Sequence, residues 1–99
     1  MNPNTFKKIE RLLKGESFIT KEPGNSMLPI YKSNEPHLLT PITWDKCKVG
    51  DIVFCKVHGV CVTHKVYSIS SKKGCLIGNN QGYMNGWTKN VYGLAHKLV

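Results

Sequence analysis

Residues 52–69 constrain this chain more than any other stretch. Ile52-Val53-Phe54-Cys55-Lys56-Val57 is rich in β-branched and aromatic residues, and so is the run from Val60 to Ile69. Both read as strands. Only His58-Gly59 separates them, which predicts a hairpin closed by a two-residue turn. In that register Val57 pairs with Val60, Cys55 with Val62 and Val53 with His64. Paired residues share a face of the sheet, so Val53, Cys55, Val57, Val60, Val62, His64 and Val66 are expected to line one side. His64 is therefore expected beside a core, not out in solvent.

Around this hairpin the chain reads as mainly β with one short helix. Phe6, Ile9, Leu12 and Leu13 recur at helical spacing between Lys7, Lys8, Glu10, Arg11 and Lys14. Residues 4–14 are thus expected to form an amphipathic helix, capped by Asn4 or Thr5 and ended by Gly15. Its first expected role is packing on the domain, and its basic face also suits a protein partner or peripheral contact with a membrane surface. Residues 17–20 suggest a short strand. The segment from Tyr31 to Thr43 carries Pro36 and Pro41 around Leu38-Leu39, which predicts an extended connection with a brief edge strand. After the hairpin, residues 70–74 turn, Cys75-Leu76-Ile77 returns as a strand, Gly78 to Trp87 reads as a polar loop, and Val91 to Val99 reads as a last strand. The expectation is one domain over residues 1–99, with the helix at 4–14 and a compact antiparallel β domain over 18–99.

Composition narrows the function classes. No apolar run approaches the roughly 20 residues needed to span a bilayer, and the first residues lack the basic-then-apolar order of a secretory signal. Both features predict a cytoplasmic location. The four cysteines form no C-x-x-C pair and sit among apolar neighbours, so they are expected to be reduced core residues. Cys55, His58, Cys61 and His64 have a spacing that suggests zinc, but the hairpin puts Cys61 on the face opposite Cys55 and His64, with His58 in the turn. No metal and no cofactor is expected. The formal net charge is +8, and no Asp or Glu follows Asp51. A lysine-rich second half interleaved with Tyr67, Tyr83, Trp87 and Tyr92 makes nucleic acid a third-ranked partner, behind a peptide or protein.

The stretch Gly24-Asn25-Ser26-Met27-Leu28-Pro29 is the second notable feature. Gly24 tolerates positive φ, while Pro29 fixes its own φ and denies helix to Leu28. Such a turn can present Ser26 while Met27 and Leu28 anchor it. A serine becomes a nucleophile only with a base, and His64 on an apolar face is the candidate, because apolar surroundings favour the neutral imidazole.

Taken in order, these residues resemble the signal peptidase and LexA-like superfamily of serine peptidases. Gly24 to Pro29 is similar to its G-x-S-M-x-P nucleophile turn, and Gly50-Asp51-Ile52-Val53 to its G-D-I/V-V strand. His64-Lys65-Val66 is similar to its K-R-V or H-R-V base segment. Gly78-Asn79-Asn80 looks like its G-D-N loop, and Val91-Tyr92-Gly93 like its closing V-x-G strand. Histidine at the base position resembles the endoplasmic-reticulum and archaeal branch. The resemblance implies a β domain of that type that hydrolyses peptide bonds, with Ser26 as nucleophile, His64 as general base and the Ser26 backbone N–H in the oxyanion hole. Met27 and Pro29 would then border the substrate, and Asn79 or Asn85 would orient His64. The chain departs from the family in having amides where that branch has acids, and in lacking both a transmembrane anchor and a helix-turn-helix domain. Asp51 is a further candidate for the missing acid. The competing reading is a weak or inactive relative that binds a protein in the same groove.

Overall fold

The computed structural model describes residues 3–24, 27–28 and 30–98. One helix, α1 (Pro3–Leu13), precedes seven strands: β1 (Phe18–Thr20), β2 (His37–Pro41), β3 (Ile52–Val57), β4 (Val60–Ser70), β5 (Gly74–Gly78), β6 (Met84–Thr88) and β7 (Val91–Lys97). They form one antiparallel sheet in the order β1-β2-β7-β3-β4-β5-β6. The fold is therefore mainly β with one short N-terminal helix, as the residue pattern predicts.

The central hairpin has the expected register, with Val57 opposite Val60, Cys55 opposite Val62 and Val53 opposite His64. His58 and Gly59 both adopt positive φ, 48° and 79°, the backbone of a tight hairpin turn whose twist matches that of its strands. Val53, Cys55, Val57, His64 and Val66 are buried on the predicted side. Val60 departs from the prediction and is 60% exposed, because it flanks the turn at the tip of the hairpin.

The alternation does not reveal that β3 is buried on both faces. Val53, Cys55 and Val57 join Val66, Cys75, Ile77, Val91 and Cys47 in one cluster, against which Ile42 and Trp44 pack. Phe54, on the opposite face, joins Ile9, Leu12, Phe18 and Leu39 in a second cluster beneath α1. The helix ends as expected. Gly15 has φ +88°, its N–H donates to the Leu12 carbonyl (3.0 Å), and the Glu16 N–H donates to the Arg11 carbonyl (2.9 Å). This double closure satisfies carbonyls the helix leaves open. Of its four expected apolar anchors only Ile9 and Leu12 are buried, whereas Phe6 is 55% and Leu13 72% exposed. A Cβ on Gly93 would lie 3.0 Å from a Leu12 methyl, so the bare backbone of β7 is what lets Leu12 come so close.

Two expectations are corrected. The brief strand around Leu38-Leu39 is no edge strand, because β2 lies between β1 and β7 and Leu39 is fully buried. Pro41 is tolerated there because it is the last residue of the strand. The polar stretch from Gly78 to Trp87 is not all loop, since its second half forms β6, which pairs with β5 alone. Its free edge turns back toward β3, where the Thr88 hydroxyl donates to the Lys56 carbonyl (2.6 Å), so the sheet curls over the first cluster. Among the described residues no helix is long and apolar enough to cross a membrane.

Leu12 is the main plug between helix and sheet. Leu12→Ala is expected to destabilise the chain by about 2–4 kcal/mol, read as a lowered midpoint in urea unfolding with helix and sheet signals still lost together.

Candidate functional site

His64 sits midway along β4, opposite Val53, and is 9% exposed. Its Nδ1 lies 2.7 Å from the side-chain oxygen of Asn85. This contact depends on an irregularity in β6. Gly86 pairs with Ile77 and Met84 with Gly78, which leaves Asn85 as the extra residue of a bulge. A bulge re-aims a side chain relative to strict alternation, and here it turns the amide toward the imidazole. The amide oxygen can only accept, so Nδ1 carries the ring proton and Nε2 becomes the basic nitrogen of the neutral ring. Asn85 supplies orientation but no charge.

Asn79, the other candidate for orienting the base, is engaged within its own loop. Its side-chain oxygen accepts the N–H groups of Gln81 (2.9 Å) and Tyr83 (3.0 Å), and its carbonyl accepts the Tyr67 hydroxyl. Asn79 therefore shapes the loop, and Asn85 reaches the histidine. The next residue, Asn80, closes the stretch that looks like a G-D-N loop, but the sequence assigns its side chain no role. Its side-chain amide donates to the Leu28 carbonyl (2.8 Å), so the loop after β5 is bonded directly to the serine-bearing turn. Within that turn Gly24 has φ +111°, the Gly24 N–H donates to the Ser33 hydroxyl (3.1 Å), and Met27 is buried. Ser26 and Pro29 lie outside the described residues.

Asp51 is bonded into a turn. Its carboxylate accepts the Lys48 N–H (2.8 Å), and its carbonyl accepts the Val66 N–H (2.8 Å). The hairpin register places Cys61 opposite Lys56, away from the Cys55 face, and among the described residues no three His, Cys, Asp or Glu side chains converge as metal ligands. All four thiols are free. Burial, with Cys75 close by, pushes the Cys47 thiol up to about 12, and burial also raises Cys55, Cys75 and the half-buried Cys61. The Cys47 and Cys75 thiols point at the carbonyls of Thr43 (3.5 Å) and Trp44 (3.6 Å), which favours the protonated form.

Sequence reasoning also missed His37, which is buried at the start of β2 and lines a small recess next to Gly24 and Met27. A histidine between two prolines in a connecting segment offers no periodic signal that would mark it. Comparison of the chain with protein-family models, with curated proteins and with solved structures found no match.

The thiols make a checkable set. With a water-soluble disulfide reagent at about pH 8, Cys61 is expected to react first, and Cys47, Cys55 and Cys75 only as the chain unfolds. A thiol whose pKa is raised by folding keeps its proton after the unfolded chain has lost it. The stability contributed by Cys47 is therefore intact below 9.0 and declines as pH rises toward about 12. Cys47→Ala should flatten that alkaline decline in a pH series of unfolding midpoints.

Proposed function

We propose that this chain is a serine endopeptidase of the signal-peptidase and LexA-like type, with Ser26 as nucleophile and His64 as general base. The observation that carries the reading is the 2.7 Å bond between His64 Nδ1 and Asn85. It fixes the tautomer in which Nε2 can take a proton from a hydroxyl, the role that the third member plays in Ser–His–acid sites. The bond from Asn80 to the Leu28 carbonyl adds support, because it ties the serine turn to the segment that leads into β6.

On this reading an extended peptide with small side chains lies along a strand edge, bordered by Met27 and Pro29. Ser26 Oγ attacks the scissile carbonyl as His64 Nε2 takes its proton. The Ser26 N–H steadies the oxyanion, and the imidazolium then gives its proton to the leaving amine. Asn85 holds the ring throughout but meets the imidazolium with a dipole only. That weakness favours one second reading, in which the same groove binds a protein segment without cleaving it.

Peptide hydrolysis and labelling by a fluorophosphonate probe test the proposal. Ser26→Ala and His64→Ala are expected to abolish both. Asn85→Asp restores the charge whose loss costs about 10⁴ in kcat in a Ser–His–Asp enzyme, so it should raise kcat by a measurable part of that factor. Undiminished cleavage by Ser26→Ala sinks the peptidase reading. Peptide binding without cleavage or labelling in the parent chain assigns the groove to a binding role. A steep fall of nucleic-acid affinity with salt would move the function to the lysine-rich half.

A further inference from the structure

His37 carries a buried nitrogen without a partner. The residue is 4% exposed, its Nδ1 lies 3.2 Å from the Glu35 carbonyl oxygen, and its Nε2 is buried with no hydrogen bond among the described residues. A carbonyl only accepts, so Nδ1 carries the proton, and in the neutral ring Nε2 presents a bare lone pair. Leaving such an acceptor unpaired is costly, and each instance in a folded protein calls for a missing donor.

The surroundings define that donor. His37 lines a recess of about 40 Å³ together with Glu22, Tyr31, Glu35, Met27 and Thr63, while Lys32 stands on the exposed rim. The volume exceeds the roughly 10–15 Å³ that one water needs, yet it is too small for a ring. The Tyr31 ring meets the imidazole edge-on at 5.3 Å and forms one wall. Glu22 accepts the Thr63 hydroxyl (2.6 Å) and lies 3.7 Å from Lys8 Nζ. Glu35 accepts the Lys32 N–H (3.1 Å) and lies 3.7 Å from Lys97 Nζ. Each carboxylate offers about four acceptor sites, so these contacts leave capacity for a further donor. The recess thus brings the His37 imidazole and two acidic residues together with an apolar and aromatic wall. A primary ammonium group matches it, with three donors and no acceptor on a stem that Met27 and Tyr31 can cover.

We propose that the recess around His37 is a binding subsite for a primary ammonium group. Gly24 and Met27, which line the recess, flank Ser26 in the sequence. On the peptidase reading the ammonium group comes from the bound peptide, as a lysine side chain or a free N-terminus. Only that assignment rests on the proposed function, because the ammonium site itself requires no catalysis.

Titration of the full, isotope-labelled chain with n-butylammonium chloride, followed by NMR, tests the site. Saturable shifts at the His37 ring nitrogens and at Glu35 are expected, with none from tetramethylammonium chloride, which has the charge but no N–H. Glu35→Gln keeps the backbone carbonyl that holds His37 and should weaken butylammonium binding about tenfold. His37→Phe should weaken it at least as much, and Glu35→Gln carries the test alone if His37→Phe does not fold. Nα-acetyl-lysine methylamide and glycine methylamide then separate a side-chain source from an N-terminal one. Non-saturable shifts, an equal response to tetramethylammonium, or unchanged binding by Glu35→Gln would overturn the proposal and leave the recess to ordered water.

Discussion

The pairing of β3 with β4 is the constraint on which the rest of the molecule depends, and the two-residue turn at His58-Gly59 sets it. Both residues take positive φ, which only a small set of residues accepts readily, so the turn admits one register far more easily than its neighbours. A slip of β4 by one position would move His64 to the face beneath α1, where Phe54 packs with Ile9, Leu12, Phe18 and Leu39. The register therefore fixes the imidazole and the core together. Strict alternation ends twice beyond the turn. The shift near Tyr67 frees its hydroxyl for the Asn79 carbonyl, and the bulge at Asn85 turns an amide inward. The second irregularity brings Asn85 to His64, in keeping with the use of bulges to re-aim side chains.

Burial on both faces of β3 explains why so short a strand anchors the molecule. Neither cluster has the volume of a large core, but they share a backbone, so removing side chains from one also loosens the strand that supports the other. It also explains the cysteines. Cys47, Cys55 and Cys75 occupy the face enclosed by the curling of β5 and β6, where a thiol serves as a small apolar filler and its ionised form is disfavoured.

Much of this was legible in the residues because it is local. The hairpin, its register, the side on which His64 lies and the Gly15 stop of the helix all follow from neighbours within a few positions. What was illegible depends on contacts distant in the chain. The interior place of β2 requires β7, some fifty residues later, to pair with it. β6 has the sequence Met-Asn-Gly-Trp-Thr, whose strand character comes from pairing with β5 and not from propensity. Two asparagines were open as partners of His64, and only the bulge decides between them. His37 gives no signal at all until the Glu35 carbonyl and the Tyr31 ring close around it.

An amide at position 85 adds no charge of its own beside the imidazole. A carboxylate in that half-buried place would have to be desolvated beside a neutral imidazole, at a cost repaid only when the ring becomes protonated. Asn85 avoids that cost and still fixes the tautomer. Among the described residues the nearby acids are bonded elsewhere. Asp51 is bonded into its turn, while Glu22 and Glu35 belong to the recess around His37 and pair with Lys8 and Lys97. On the proposed reading the barrier that remains is therefore electrostatic, because the ring is already oriented and only the stabilisation of its cation is weak. On that reading orientation and charge, which a single aspartate supplies together in the familiar triad, are separated here, and the one atom that distinguishes Asn from Asp at residue 85 sets how well the imidazolium is stabilised.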